Sequence, residues 1–202
     1  MEPILLRLAT DDDATDIRAV YEPYLATPIT FETELPSLKE FRARMVDARA
    51  TYPYLVAERA GEIVGYAYAS AQHPRAAYAW NVELSVYLAL DARGRGLGRV
   101  LYEALIELVR TQGAKAAYAL VTVPNAASEG LHAALGFERI GLQPHAGWKA
   151  GAWHDVAWLR KELAPYEGAP EPLVPFPELL REQPDVVRAV LERCLLYTSR
   201  CV

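Results

Sequence analysis

Between residues 81 and 113 the chain changes its period without a spacer. Val82, Leu84, Val86 and Leu88 alternate with Asn81, Glu83, Ser85 and Tyr87, the period-two pattern of a strand with two chemically distinct faces. A glycine-rich stretch, Arg93-Gly94-Arg95-Gly96-Leu97-Gly98, comes next. Leu101, Leu105, Leu108 and Val109 then fall at helical spacing until Gly113 closes the run. A strand feeding a helix through glycines commits the chain to a mixed α/β fold.

The remaining segments fill in around this unit. Ile4 to Leu8 reads as an opening strand, and Thr10 with Asp13 is a helix-start signal. Ile17, Val20, Tyr21 and Tyr24 follow at helical spacing, and Pro28 lies past the stop. Ser37 with Glu40 opens a second helix carrying Phe41 and Met45. Tyr54–Glu58 and Ile63–Tyr68 are strands joined through Ala60-Gly61, a hairpin signal. After the glycine unit come a strand over 116–123, a short helix from Pro124-Asn125 to Leu135, a strand near Ile140, and a last strand over 153–159. The order is β, α, α, a meander of strands, then α, β, α, β, β.

Residues 1–163 are therefore expected to be one domain. Pro165, Pro170, Pro172, Pro175, Pro177 and Pro184 crowd the next stretch, so 164–193 is expected to be a proline-rich linker or loosely docked tail with one short helix near 186–196. The last nine residues resemble a translated adapter from DNA library preparation, and 194–202 are read as a non-native tail. Both cysteines, Cys194 and Cys201, lie there. A chain without cysteine through residue 193 needs neither a disulfide scaffold nor a thiolate metal site, and a reducing cytoplasm is expected.

Charge and hydropathy remove other classes. The net charge of −5 comes with no basic cluster, so nucleic acid is not an expected partner. No apolar run approaches the roughly 20 residues of a membrane span. His73, His132, His145 and His154 lack metal-ligand spacing.

The glycine loop carries the functional signal. A helix start offers unpaired N–H groups and the positive end of the helix dipole, and glycines let an anion approach the backbone. Arg93, Arg95 and Arg99 add positive charge in an acidic chain. A plain strand-to-helix turn with solvated arginines remains open on this pattern alone. A dinucleotide fingerprint would space its third glycine one residue later and sit near the first strand, and the triphosphate loop needs Gly-Lys-Ser/Thr. The diphosphate arm of coenzyme A remains as the guest.

The loop motif Arg93-x-x-Gly96-x-Gly98, with Asn125 and Leu135-Gly136-Phe137 after it, resembles the GNAT superfamily of N-acetyltransferases. Tyr52-Pro53-Tyr54, Tyr78-Ala79-Trp80, Glu83, Val86-Tyr87, His132 and Gly151-Ala152-Trp153-His154-Asp155 resemble its phosphinothricin N-acetyltransferase branch. The resemblance covers roughly residues 4–160. It implies a central, mixed but mostly antiparallel twisted sheet flanked by helices, acetyl-CoA as cosubstrate, a small-molecule amine as acceptor, and a homodimer.

It also implies roles. Glu83 stands at the catalytic glutamate position, against the bland reading of a glutamate paired with an arginine. His132 stands where an acid protonates the leaving thiolate, against a helix-surface histidine. Val86, Tyr87 and Leu88 are expected to hold the acetyl and pantetheine arm, and residues Arg93, Gly94, Arg95, Gly96, Leu97, Gly98 and Arg99 the diphosphate. Asn125 is expected to bind the same arm, although a helix cap explains it equally well. Phe31, Arg75 and Tyr78 are the acceptor candidates, against core aromatics and a solvated arginine. Ala71 to Arg75 departs from the branch pattern, which leaves the acceptor open. The expected activity is acetyl transfer to an amino-acid-like amine. A different acceptor (a peptide N-terminus or a polyamine) or a non-catalytic coenzyme A sensor is the alternative.

Overall fold

A computed structural model describes residues 3–198, with side chains as far as Arg193. Strands β1 (Ile4–Leu8), β2 (Tyr54–Arg59), β3 (Glu62–Ala71), β4 (Asn81–Leu88), β5 (Ala116–Val123), β6 (Glu138–Lys149) and β7 (Ala152–Glu162) form one sheet. Helices α1 (Ala14–Tyr21) and α2 (Leu38–Arg49) lie between β1 and β2. Helix α3 (Leu97–Thr111) joins β4 to β5, and α4 (Ala126–Ala134) joins β5 to β6. The strand order is β1-β2-β3-β4-β5-β7-β6, and only β4 and β5 run parallel. This is the mixed, mostly antiparallel sheet that the family resemblance implied.

Local chemistry accounts for the joints. Asp13 accepts from the Thr10 N–H at 2.6 Å and forms a bidentate pair with Arg7 at 2.7 and 2.8 Å. That pairing pins β1 to the start of α1 and lowers the Asp13 pKa to about 2. Ser37 and Glu40 close the second cap reciprocally. Ala60 and Gly61 both take positive φ, as the two-residue hairpin between β2 and β3 requires.

The sheet buries both faces. On one side Leu101, Leu105, Leu108 and Val109 of α3 pack on Leu55, Val82 and Leu84. On the other side Ile17, Val20 and Tyr21 of α1 and Phe41 and Met45 of α2 pack on Tyr54, Val56 and Tyr66.

The C-terminal stretch differs from the expected linker. Residues 163–175 are irregular, but α5 (Phe176–Glu182) follows them. Helix α6 (Pro184–Thr198) covers the short helix expected near 186–196, and both helices are docked. Phe176, Leu179, Val187 and Val190 are buried in the α3-side core, and α6 lies against α3 and β1. The reason lies in where the prolines fall. Pro175 and Pro177 sit at the start of α5, and Pro184 opens α6, positions where a missing N–H costs nothing. Buried Gln112 adds a clasp, donating from Nε2 to the carbonyls of Thr51 and Val174 at 2.8 Å. The side chains of 194–198 and all of 199–202 lie outside the described residues, and so does the expectation of a non-native tail.

Candidate active site

Strands β4 and β5 pair only over Asn81, Val82 and Glu83, opposite Ala116, Ala117 and Tyr118. Beyond Glu83 they separate, while β5 keeps its pairing with β7 as far as Val123. The last five residues of β4 therefore show one backbone edge to a cleft. Backbone polar groups alternate between the two edges of a strand. The N–H of Ala89 bonds to Val64 on the β3 side, so Leu84, Val86 and Leu88 face the cleft. The Leu84 carbonyl accepts from the Tyr102 hydroxyl at 3.0 Å. The hydroxyl of Tyr24 accepts from the Leu88 N–H at 2.8 Å and donates to the Leu88 carbonyl at 2.7 Å. That leaves Val86 as the residue whose N–H and C=O face the opening. Ser85, Tyr102, Asn125 and His132 are among the cleft's lining.

Side-chain alternation sends Glu83, Ser85 and Tyr87 to the α1–α2 face. Tyr87 meets Tyr21 and Tyr24 edge-on at 5.1 and 4.9 Å. Glu83 is half-buried, and loss of water raises its carboxyl pKa.

His132 is not a surface histidine. It is 3% exposed, and burial lowers its pKa. Its Nδ1 lies 2.7 Å from the Ser128 carbonyl, which can only accept, so Nδ1 carries the proton. Nε2 is then the acceptor facing the Tyr102 hydroxyl at 3.1 Å. One hydroxyl proton thus has two acceptors, Leu84 O and His132 Nε2. Asn125 realises its capping alternative, accepting from the Ser128 N–H at 3.2 Å, and also lines the cleft.

The glycine loop sits beyond the end of β4. Gly94 and Gly96 take φ of +73° and +78°, and space is open where a Cβ would stand at either. Gly96 caps α3 and accepts from Val100, so the N–H groups of residues 97–99 have no partner within the helix. Arg95 is exposed, and Arg99 pairs with Glu103 at 2.7 Å. The Arg93 guanidinium lies 4.6 Å above the Tyr24 ring.

The acceptor candidates are not gathered at one point. Phe31 presses on Gly147, where any Cβ would come within 2.7 Å of its ring. It also lies near His154, at the end of the sheet where Asp155 pairs with Val123. Tyr78 and exposed Arg75 precede β4, at the other end, with Tyr78 against His73 at 4.5 Å. His154 and Asp155 hold the β6–β7 hairpin, through Lys149 O and His145 N–H.

Three features escaped the sequence reading. Tyr102 and Tyr24 sit among apolar neighbours and read as core. The third is a pocket on the α1–α2 face walled by Tyr21, Tyr54, Tyr66, Tyr68 and Tyr87, with Glu32 and Arg44 paired at its rim. A tyrosine at every second position, Tyr66 and Tyr68, was the available signal.

A family model described as an acetyltransferase (GNAT) domain matches residues 6–158. The chain is 41% identical over 163 residues to a phosphinothricin N-acetyltransferase of Alcaligenes faecalis, covering 78% of this chain and 82% of the relative. The chain belongs to the GNAT acetyltransferase family. This acetyl-CoA-dependent N-acetyltransferase is also 40% identical over 161 residues to an L-methionine sulfoximine/L-methionine sulfone acetyltransferase of Pseudomonas aeruginosa, covering 78% and 94% of the two chains. A GNAT superfamily phosphinothricin acetyltransferase from Sinorhizobium meliloti, solved in complex with acetyl-CoA, superposes with a TM-score of 0.80. It is 36% identical, with 84% of this chain and 94% of that one covered.

The residues present fit the cosubstrate of a GNAT enzyme. The open space over Gly94 and Gly96 lets a diphosphate reach the start of α3. The single open edge residue, Val86, suits an amide-bearing arm running along a strand.

Proposed function

We propose that this enzyme acetylates the amine of a small, amino-acid-like acceptor by direct attack in a ternary complex, with Glu83 as the general base. The observation that carries the reading is the parting of β4 from β5 at Glu83. One strand thereby offers a carboxylate of raised pKa and, three residues on, an open backbone edge.

Acetyl-CoA supplies the activated acetyl group. Glu83 takes a proton from the acceptor ammonium, freeing the lone pair that attacks the thioester carbonyl. The Val86 N–H donates to that carbonyl oxygen, where negative charge develops as the C–N bond forms. The Val86 C=O and the cleft-lining Asn125 hold the arm in register, whereas the backbone groups of Tyr87 and Leu88, expected to share that role, are respectively turned to β3 and bonded to Tyr24. As the C–S bond breaks, the adduct nitrogen sheds its second proton and the thiolate gains one by way of the Tyr102–His132 pair, which is left unchanged. Amide, coenzyme A thiol and protonated Glu83 then balance the ammonium and the thioester. His132, neutral at physiological pH, serves as relay rather than as proton store. Arg93, Gly94, Arg95, Gly96, Leu97, Gly98 and Arg99 surround the diphosphate.

For the acceptor, the named relatives support phosphinothricin or a methionine sulfone or sulfoximine. Arg75 and Tyr78, at Glu83's end of β4, offer a cation and a ring for a carboxylate or phosphinate. Phe31 closes the other end of the cleft. A homodimer completes the proposal. It is supported by an apolar face on β6 and β7 carrying Ile140, Leu142, Trp148 and Trp153, the tryptophans each 58% exposed. Sedimentation giving a monomer removes that part. Among the described residues no helix is long and apolar enough to cross a membrane, and a cytoplasmic location is proposed on the cysteine-free core.

The test is thiol release from acetyl-CoA over a panel of free amino acids, the sulfone, sulfoximine and phosphinothricin, short peptides and polyamines. The highest kcat/KM is expected among amino-acid-like amines. A peptide or polyamine preference overturns the acceptor class, and cosubstrate binding without turnover makes the protein a coenzyme A sensor.

A further inference from the structure

We propose that Tyr24 is a positioning residue that fixes the cosubstrate strand and the glycine loop relative to one another. The inference rests on the acetyl-CoA reading of this cleft.

Tyr24 lies in the 3-10 turn Glu22–Ala26 that ends α1, and it is 6% exposed. Its hydroxyl makes two bonds to a single residue, the Leu88 N–H and C=O, 64 residues away. Those groups sit where β4 has already left β5, and the β3 side serves the other alternate residues. Without the hydroxyl they would be part-buried and unpaired, which is costly. A hydroxyl suits the place because it donates and accepts at once.

Two consequences follow for the cleft. First, the open edge of β4 is limited to Val86, because Tyr102 occupies Leu84 on one side and Tyr24 occupies Leu88 on the other. The arm of the cosubstrate has one register, not two. Second, the same ring seats the Arg93 guanidinium at 4.6 Å, a cation–π contact. The Leu88 side chain also reaches the Gly98 position, with Cδ1 3.6 Å from where a Cβ would stand. One tyrosine thus ties the strand end and the first loop arginine to the turn that ends α1.

The test separates the hydroxyl from the ring. Calorimetry on the full chain, well below its melting temperature, compares coenzyme A with adenosine 3′-phosphate 5′-diphosphate, which lacks the pantetheine arm. Tyr24→Phe is expected to weaken coenzyme A about tenfold, leaving the nucleotide within about twofold of wild type because the ring under Arg93 stays. Tyr24→Leu is expected to weaken both ligands, the nucleotide about threefold. In steady state, Tyr24→Phe raises KM for acetyl-CoA while kcat and the acceptor KM stay near wild type. Wild-type affinity for coenzyme A in Tyr24→Phe overturns the inference, as does equal loss of both ligands. Wild-type protein indifferent to coenzyme A instead overturns the reading of the cleft itself.

Discussion

A carboxylate that must accept a proton from an ammonium works best when its own pKa lies nearer the operating pH. Burial moves Glu83 in that direction. The ionised form is the active one, so kcat/KM climbs as pH rises through the raised value and levels above it. The acid limb of the pH profile is therefore expected above the ordinary carboxylate range. A limb at the value of a free glutamate would place the base elsewhere. Glu83 was legible in the sequence because a charge on an alternating strand stands out. His132 stood out only through the family resemblance, since a lone histidine on a short helix is ambiguous. Tyr24 and Tyr102 were hidden because tyrosine on an apolar stripe satisfies the core pattern, and its hydroxyl partner is distant in sequence.

Elements show the same split between local and distant information. The alternation of β4 and the glycine signal of the loop are local, so the unit from 81 to 113 could be read directly. The parting of β4 from β5 could not, because it depends on β5 following β7 instead. Gly96 belongs to this scale, since the turn it makes aims the start of α3. Its φ of +78° with open space around it means alanine would be strained by conformation and not by collision. Gly96→Ala is expected to lower unfolding free energy by about 1–2 kcal/mol. Acetyl-CoA KM should rise with it as the N–H groups turn away. An unchanged KM would detach the loop from cosubstrate binding. At the β1–α1 joint, Asp13 has a pKa lowered from 3.8 to about 2 by Arg7. A depressed carboxylate stabilises above its unfolded pKa, so this contribution is lost as pH falls from about 4 through about 2. Acid melts should show that loss, and an Asp13→Asn variant should lack it.

At the scale of the whole molecule, one sheet separates two cores, and the groups proposed to react lie where its middle strands part. The α3-side core is closed by α5 and α6; α6 falls where a short helix was expected near 186–196, whereas proline density concealed α5, because helix-starting and chain-breaking prolines look alike without their neighbours. Phe176 is buried there, and Phe176→Ala is expected to cost about 3–5 kcal/mol of stability. A loss below 1 kcal/mol in denaturant melts would return this segment to a loosely docked tail. In the proposed chemistry Glu83 acts on a cosubstrate already held by the neighbouring edge and loop. Measuring Kd for acetyl-CoA and kcat on Glu83→Gln tests it most directly. Affinity within about twofold of wild type and kcat lowered at least about 10²-fold are predicted; an undiminished kcat would contradict the account.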